Sequence, residues 1–347
     1  MKPIYLLGGY QTDFAINWSR QNQTIFDMMH AAVFGALESV ALDPADIQTA
    51  HVGNFAAELF RGQGHLGGMF ASLDPAFAGV PASRHEAACA SGSIAALMAM
   101  AEIEAERYDL ACVVGVEEMR NMHGDQAAQH LGAAAWVGQE SLDACFLWPR
   151  QFSDLADEYD RRYGIKHDHL AAIAQNNFAN AKLNPNAQTR KWTFNEHSFS
   201  QHDEFNPVIE GHTRKQDCGQ VTDGAATIFL ASERYARDYV KRRGMTLAAI
   251  PRIVGWGHRT APLRLADKLN ASRDHEYVFP HVRQTIVDAM SRANLNLEQI
   301  NGWEIHDCFS MTEYMLIDHL GITPLGMSWQ AIENGDIAKD GRYPLNP

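Results

Sequence analysis

Two stretches of the chain carry the same order of apolar and polar positions. The first runs from Ala32 through Val33, Ala36, Leu37 and Val40 to Ile47, and then into Ala50-His51-Val52-Gly53-Asn54. The second runs from Thr285 through Ile286, Ala289, Met290 and Ala293 to Ile300, and then into Trp303-Glu304-Ile305-His306-Asp307. One displacement of 253 residues carries Ala36 to Ala289, Ile47 to Ile300 and Gly53 to His306. Apolar residues at helical spacing followed by a short strand-like run predict, in each copy, an amphipathic helix, a loop and a strand. Copies this far apart point to two similar α/β halves, because a solenoid needs shorter periods and at least three units.

The first half continues through Glu86-Ala87-Ala88-Cys89-Ala90-Ser91-Gly92-Ser93 into a helical run, Ile94 to Arg107, and an apolar strand, Leu110 to Val116. A polar, histidine-rich stretch then extends from Arg120 to Gln216. Within it, Phe152 to Asn180 has apolar residues at helical spacing, and Asn184-Pro185-Asn186 breaks the pattern. Cys218 to Leu230 then reads as a glycine-rich turn entering a buried strand that returns to the first half. The expected organisation is an N-terminal half, residues 1–118 with 219–246, an inserted loop domain, 119–218, and a second half, 247–347. The second half has no room for counterparts of the Cys89 turn and of the helix and strand beyond it, so it is expected to be incomplete.

With 347 residues, 46% of them hydrophobic, the chain can bury two or three packed cores. A net charge of −13 argues against non-specific nucleic-acid binding, which needs a basic footprint. An anionic ligand must therefore meet a local cluster, and Lys182, Arg190 and Lys191 form one candidate, Arg214 and Lys215 another. The five cysteines lack paired spacing, so no disulfide framework or zinc site is expected and the thiols should be reduced, as in a cytoplasmic protein. No apolar run has the length of a signal segment or a membrane span. His65, His85, His123 and His130 are not spaced as metal ligands, and no metal is expected. Met98, Met100 and Met119 are expected in a core or pocket lining.

Cys89 lies among small residues that let a bulky ligand approach. A helix beginning there would turn unpaired amide N–H groups and the positive end of its dipole toward the sulfur, which favours thiolate. A buried thiol acting as a small hydrophobe is the other reading of a lone cysteine. Downstream, Trp303 to Ile305 is expected to be a strand running into His306-Asp307-Cys308-Phe309-Ser310 and a helix from about Met311 to Leu320. A titratable histidine beside a thiol suits proton transfer, and a satisfied core histidine beside a buried cysteine is its alternative.

Taken together these blocks resemble the thiolase superfamily, in its sterol-carrier-protein-type and archaeal-type acetyl-CoA acetyltransferase branch. The matching residues are Glu86 to Gly92, Val114-Gly115-Val116-Glu117-Glu118-Met119, Asn184-Pro185 with Ala187-Gln188, Asp223-Gly224-Ala225-Ala226, and His306-Asp307-Cys308-Phe309. Gly53-Asn54 and Gly62-Gln63-Gly64-His65 fit the same branch. The resemblance implies two pseudo-symmetric α/β halves in a five-layer α/β/α/β/α arrangement, with a loop domain that binds coenzyme A inserted in the first. It implies coenzyme A thioesters as substrates, no tightly bound cofactor, and a homodimer or tetramer. Cys89 would carry the acyl group, His306 would help form an oxyanion hole, and Cys308 would exchange the α-proton. Lys182, Arg190, Lys191, Gly219 and Phe309 are the expected substrate-binding residues. The family continues past an Asn-Pro like Asn346-Pro347 into a Gly-His-Pro loop that the sequence given does not contain.

Two other functions are compatible with this pattern. One is an inactive or scaffolding subunit, since archaeal-type relatives associate with HMG-CoA synthase and a small zinc-ribbon/OB-fold protein. The other is a thiolase-like aldolase with a small OB-fold partner, a class that dispenses with the nucleophilic thiol.

Overall fold

The computed structural model describes residues 2–347. In chain order its elements begin with β1 (Ile4–Gln11), α1 (Ile25–Val40), β2 (Thr49–Gly53), α2 (Ala57–Arg61), α3 (Leu66–Ala71), β3 (Ala82–His85), α4 (Ser91–Glu104), β4 (Leu110–Glu118) and α5 (Gly124–Leu131). They continue with α6 (Leu147–Tyr163), α7 (His167–Ala181), β5 (Val208–Glu210), β6 (Thr213–Arg214), β7 (Asp223–Ser232), α8 (Glu233–Arg242) and β8 (Arg252–Ile253). The last four are α9 (Leu265–Ala271), α10 (Pro280–Ala293), α11 (Ser310–Leu320) and α12 (Ser328–Glu333). Residues up to 130 with 221–254 form one compact unit, and 131–220 with 255–347 form another.

The first unit is a six-stranded sheet in the order β3-β2-β4-β7-β1-β8. β2 pairs in parallel with β3 and β4, and the run β4-β7-β1-β8 is antiparallel. The return strand expected from the glycine-rich turn is β7, and it enters the middle of the sheet. β4 and β7 are apolar on both faces, as strands covered on both sides must be. Ala50, Val52, Cys112, Val114 and Phe229 join a core with Met28, Ala32, Val33 and Ala36 of α1. Thr49 and His51 point to the opposite face, where both reach Glu102 of α4. The alternation along β2 thus separates the α1 layer from the α4 layer.

The internal repeat is visible in the element boundaries. α1 ends at Val40 and is capped by Ala41 at φ 47°; α10 ends at Ala293 and is capped by Asn294 at φ 54°. Single-turn 3-10 helices come next, at Pro44–Asp46 and Leu297–Gln299. Every one of these positions is displaced by the same 253 residues. The copies diverge at the strand. β2 has neighbours on both sides, whereas the strand expected at Trp303 to Ile305 is reduced to one parallel bridge, Trp303 to Leu345. With a single paired residue it has no ladder, and it is held by Asn346 instead.

In the second unit the stretch of helical spacing from Phe152 to Asn180 lies on two helices, α6 and α7. Gly164, at φ 80°, ends α6, a conformation that glycine adopts without a steric penalty. α6, α7, α11 and α12 enclose a core that includes Leu155, Tyr159, Ile173, Tyr314, Ile317 and Ala331. A polar chain crosses it: Tyr159 donates its hydroxyl to Asp318, which also accepts from Gly326 N at 3.0 Å and from His319 Nδ1 at 2.6 Å. The other ring nitrogen, His319 Nε2, accepts from Phe279 N at 3.2 Å. With both nitrogens occupied, this Tyr-Asp-His arrangement is structural. No helix among the described residues is long and apolar enough to cross a membrane.

These buried polar groups should be visible in stability measurements. Asp318→Asn replaces a charged acceptor shared by three donors, and chemical denaturation should show a loss of about 2–3 kcal/mol, the scale of buried hydrogen bonds to charged groups. At the sheet edge, His51 Nδ1 and His85 Nε2 lie 2.9 Å apart, and His51 Nε2 lies 3.1 Å from Glu102. Burial lowers both histidine pKa values against the opposing pull of Glu102, and His51 lowers that of His85 further. Below about pH 6.5 the unfolded chain takes up protons that the folded chain resists, so this pair should make stability fall as pH drops through that value. The slope should be at most about 1.4 kcal/mol per pH unit per proton, and it should shrink in His85→Gln.

Candidate active site

In the first unit, β3 leads through Glu86 and Ala87 into a 3-10 turn, Ala88–Ala90, and directly into α4. Ala88 has φ 48°, in the left-handed region that non-glycine residues seldom occupy. Ser91 holds this bend, accepting from Ala87 N at 2.9 Å and donating to Ala88 O at 2.7 Å. Ala88 N donates to Glu86 Oε1 at 2.6 Å. Cys89 sits at the centre of the turn and is exposed, two residues before the start of α4. The helix therefore begins three residues earlier than the pattern from Ile94 indicates, with the thiol just ahead of its first amides.

The turn is seated from below by β2. A Cβ on Gly53 would lie 2.7 Å from Gly92 N and Gly92 Cα, a distance no side chain tolerates, so glycine at 53 is what lets α4 begin against the strand end. Beside it, Asn54 Nδ2 donates to Val116 O at 2.7 Å, and Arg84 donates to Asn54 O at 3.2 Å and Phe55 O at 2.8 Å. Glu117, near the end of β4, accepts from Phe55 N and from Ala56 N at 3.4 Å. Burial pushes its carboxyl up to about 7; the two backbone donors and Arg84 oppose this, and the charge of Cys89 adds to it. In the sequence Glu117 is only part of an apolar strand end, which gives no sign of a perturbed acid.

In the second unit, Ile305 N donates to Asn346 Oδ1 at 2.8 Å and Asn346 N to Trp303 O at 2.8 Å. These bonds hold the segment that carries His306 and Cys308. His306 Nε2 and Cys308 Sγ are hydrogen-bonded to one another. Gly219 N donates to Cys308 O at 2.6 Å, and Cys218 bridges Phe309, whose ring stacks on Phe152 at 4.2 Å between centroids. A cavity of about 220 Å³ opens here, lined in part by Asn177, Gln188, Gln216, Gly219, Asp307 and Ser310.

The predicted basic residues are not at this cavity. Lys182 lies just past α7 with its ammonium 6.0 Å from the Phe194 ring centroid. Arg190 donates to Ala187 O at 2.7 Å, and Lys191 beside it is exposed. Arg214 is tied to Asp203 and Asn206 O, both at 2.7 Å. Of the other thiols, burial pushes Cys218 up to about 12 and raises Cys112 as well, which leaves both inert at neutral pH.

The family model for the thiolase N-terminal domain matches residues 4–194, and that for the thiolase C-terminal domain-like region matches 264–347. An acetyl-CoA acetyltransferase of Methanothermobacter thermautotrophicus is 27% identical over 351 residues, spanning all of this chain and 84% of its own length. One from Methanocaldococcus jannaschii is 26% identical over 355 residues, with 83% of its length covered. Sterol carrier protein 2 of Oryctolagus cuniculus is 24% identical over 354 residues, and this chain spans 61% of it. In fold, the chain is similar to the Ltp2-ChsH2(DUF35) aldolase, with a TM-score of 0.70 at 17% identity over 99% of this chain and 84% of the other. It is also similar to human mitochondrial 3-ketoacyl-CoA thiolase, at 0.65 and 16% over 96% and 93%. The chain belongs to the thiolase family.

Proposed function

We propose that this protein transfers acyl groups between coenzyme A thioesters, with Cys89 as the acyl carrier. The observation that carries the reading is an exposed thiol on a left-handed turn ahead of a helix start, in a chain of this family. In the first step the Cys89 thiolate attacks the thioester carbonyl, the sulfur–carbon bond to the enzyme forms, and coenzyme A leaves as thiolate. The acyl-enzyme is again a thioester, so its carbonyl stays reactive while the second substrate enters. Cys308, hydrogen-bonded to His306, removes the α-proton of that second thioester. The enolate carbon then attacks the acyl carbon and releases the Cys89 thiolate. His306 stabilises the enolate oxygen, and oriented donors of this kind contribute about 3–4 kcal/mol each.

Lys182, Arg190 and Lys191 are assigned to the phosphates of coenzyme A, and the loop segment 119–218 to its binding. Gly219 and Phe309 shape the wall next to Cys308, one through its amide and the other through its ring. The assembly is read as a cytoplasmic homodimer or tetramer, and a small OB-fold protein is its candidate partner.

A second reading is carbon–carbon cleavage of the retro-aldol type, favoured by the fold likeness to an aldolase. The presence of an exposed Cys89 in its bent turn supports acyl transfer over that reading.

Cys89→Ala should lower acetyl transfer between coenzyme A and 3-ketoacyl-CoA on the order of a millionfold, as loss of a covalent nucleophile does elsewhere. Full turnover by this variant, or aldehyde and ketone products without thiolysis, would overturn the assignment. For the second step, Cys308→Ala should slow deuterium exchange into the methyl group of acetyl-CoA by roughly 10²- to 10⁴-fold. An unchanged exchange rate removes Cys308 from that role.

A further inference from the structure

Beside the His306 and Cys308 pair, the second unit buries two carboxyl groups against one amide. Asn177 on α7 donates its Nδ2 to Asp307 and to Glu313 Oε2, the latter at 2.7 Å. Glu313 lies in the first turn of α11 and is 0% exposed. Asp307 Oδ1 and Glu313 Oε1 are buried and accept no hydrogen bond from the described residues, nor does Asn177 Oδ1. Asn346 Nδ2 reaches Glu313 Oε2 only at 3.5 Å. Two carboxylates facing one neutral amide have too few donors for two negative charges.

The charged surroundings point the same way. Burial is the largest influence on both groups and raises both; Asn177 opposes it in each case. Asp307 also feels His306, which favours its ionisation, and Asp217 in the 3-10 turn Lys215–Asp217, which disfavours it. Glu313 has Asp307 as its charged neighbour, and that neighbour disfavours a second charge. Like charges in a buried site are relieved by keeping one proton, as in other carboxyl pairs. Asp307, next to the histidine, takes the larger share of the charge, and Glu313 the larger share of the proton.

We propose that Asp307 and Glu313 hold one proton between them, and that this singly charged pair, clamped by Asn177, is the positioning element for His306. The role assigned to His306 rests on the function proposed above. When Cys308 passes its proton to His306 Nε2, the sulfur gains the electron pair and the ring becomes cationic, and the negative charge on Asp307 favours that state. Glu313 does not touch the reacting atoms; it acts by setting how much charge Asp307 presents. The sequence shows Asp307 inside a motif and gives no reason to join it to Asn177 or Glu313, which lie on other elements.

Infrared difference spectroscopy and histidine NMR on the intact protein test this. At neutral pH the protein should show the carbonyl stretch of a buried, protonated carboxylic acid that vanishes as pH is raised; Glu117→Gln removes the separate contribution of the raised carboxyl in the first unit, and in that background Glu313→Gln should abolish the remaining band. The imidazole resonance missing in His306→Gln identifies His306. Its titration midpoint should rise by roughly half a unit in Glu313→Gln, where Asp307 carries a full charge, and fall by a similar amount in Asp307→Asn. No protonated acid band in Glu117→Gln, or a His306 midpoint indifferent to both Glu313→Gln and Asp307→Asn, overturns the proposal. Because the band and its pH titration are read in Glu117→Gln, whose substitution lies in the other unit, a misfolded Glu313 or Asp307 variant leaves the test intact. Neither readout depends on acyl transfer, so failure of Cys89 to take an acyl group would count against the proposed function alone.

Discussion

The close approach of Gly53 to the backbone of Gly92 is the contact on which the first half-site depends. β2 is hydrogen-bonded on both sides, to β3 and β4, and cannot move aside to admit a side chain at its end. With hydrogen alone at position 53, α4 begins directly against the strand. β3 and α4 are then joined by so short a connection that the chain must pass through a left-handed residue, Ala88, to make the turn. Ser91 satisfies the amide and carbonyl that the bend leaves over, and Cys89 is left on the outside of it. A strained residue costs on the order of 1–3 kcal/mol and persists where its surroundings over-determine it, which is the situation here.

The second copy of the repeat uses the same place differently. The counterpart of Gly53 is His306, so the strand end that admits a helix in one half carries an imidazole in the other. Without a ladder, the segment from Trp303 to Ile305 is held by Asn346, itself at φ 45°, through its side chain and its amide. Gly219 then fixes the backbone of Cys308 from the other side. One duplicated helix and turn thus supports two kinds of end: a glycine that yields space and a histidine that supplies chemistry.

Much of this was legible in the sequence because it depends on local pattern. The repeat is visible as a constant displacement, and it reappears in caps and 3-10 turns down to single residues. The strand entered from the glycine-rich turn at Cys218 announces itself by its apolar run and, as β7, lies in the middle of the sheet. The expected strand at Trp303 is not realised, because a strand exists only where neighbours pair with it. The split of α6 from α7 is hidden because apolar spacing continues across Gly164. Buried polar partners are out of reach altogether: Glu117 with the amides of Phe55 and Ala56, and Asn177 with Asp307 and Glu313, are joined by folding and not by spacing.

Whether the bend at Ala88 presents Cys89 as an acyl carrier can be read from the intact mass of the protein after brief exposure to acetyl-CoA, combined with peptide mapping of the adduct. A single acetyl group is predicted, retained on the peptide containing Cys89 and released by added coenzyme A. An unmodified Cys89 in folded protein, or an acetyl group found only on another residue, would contradict it.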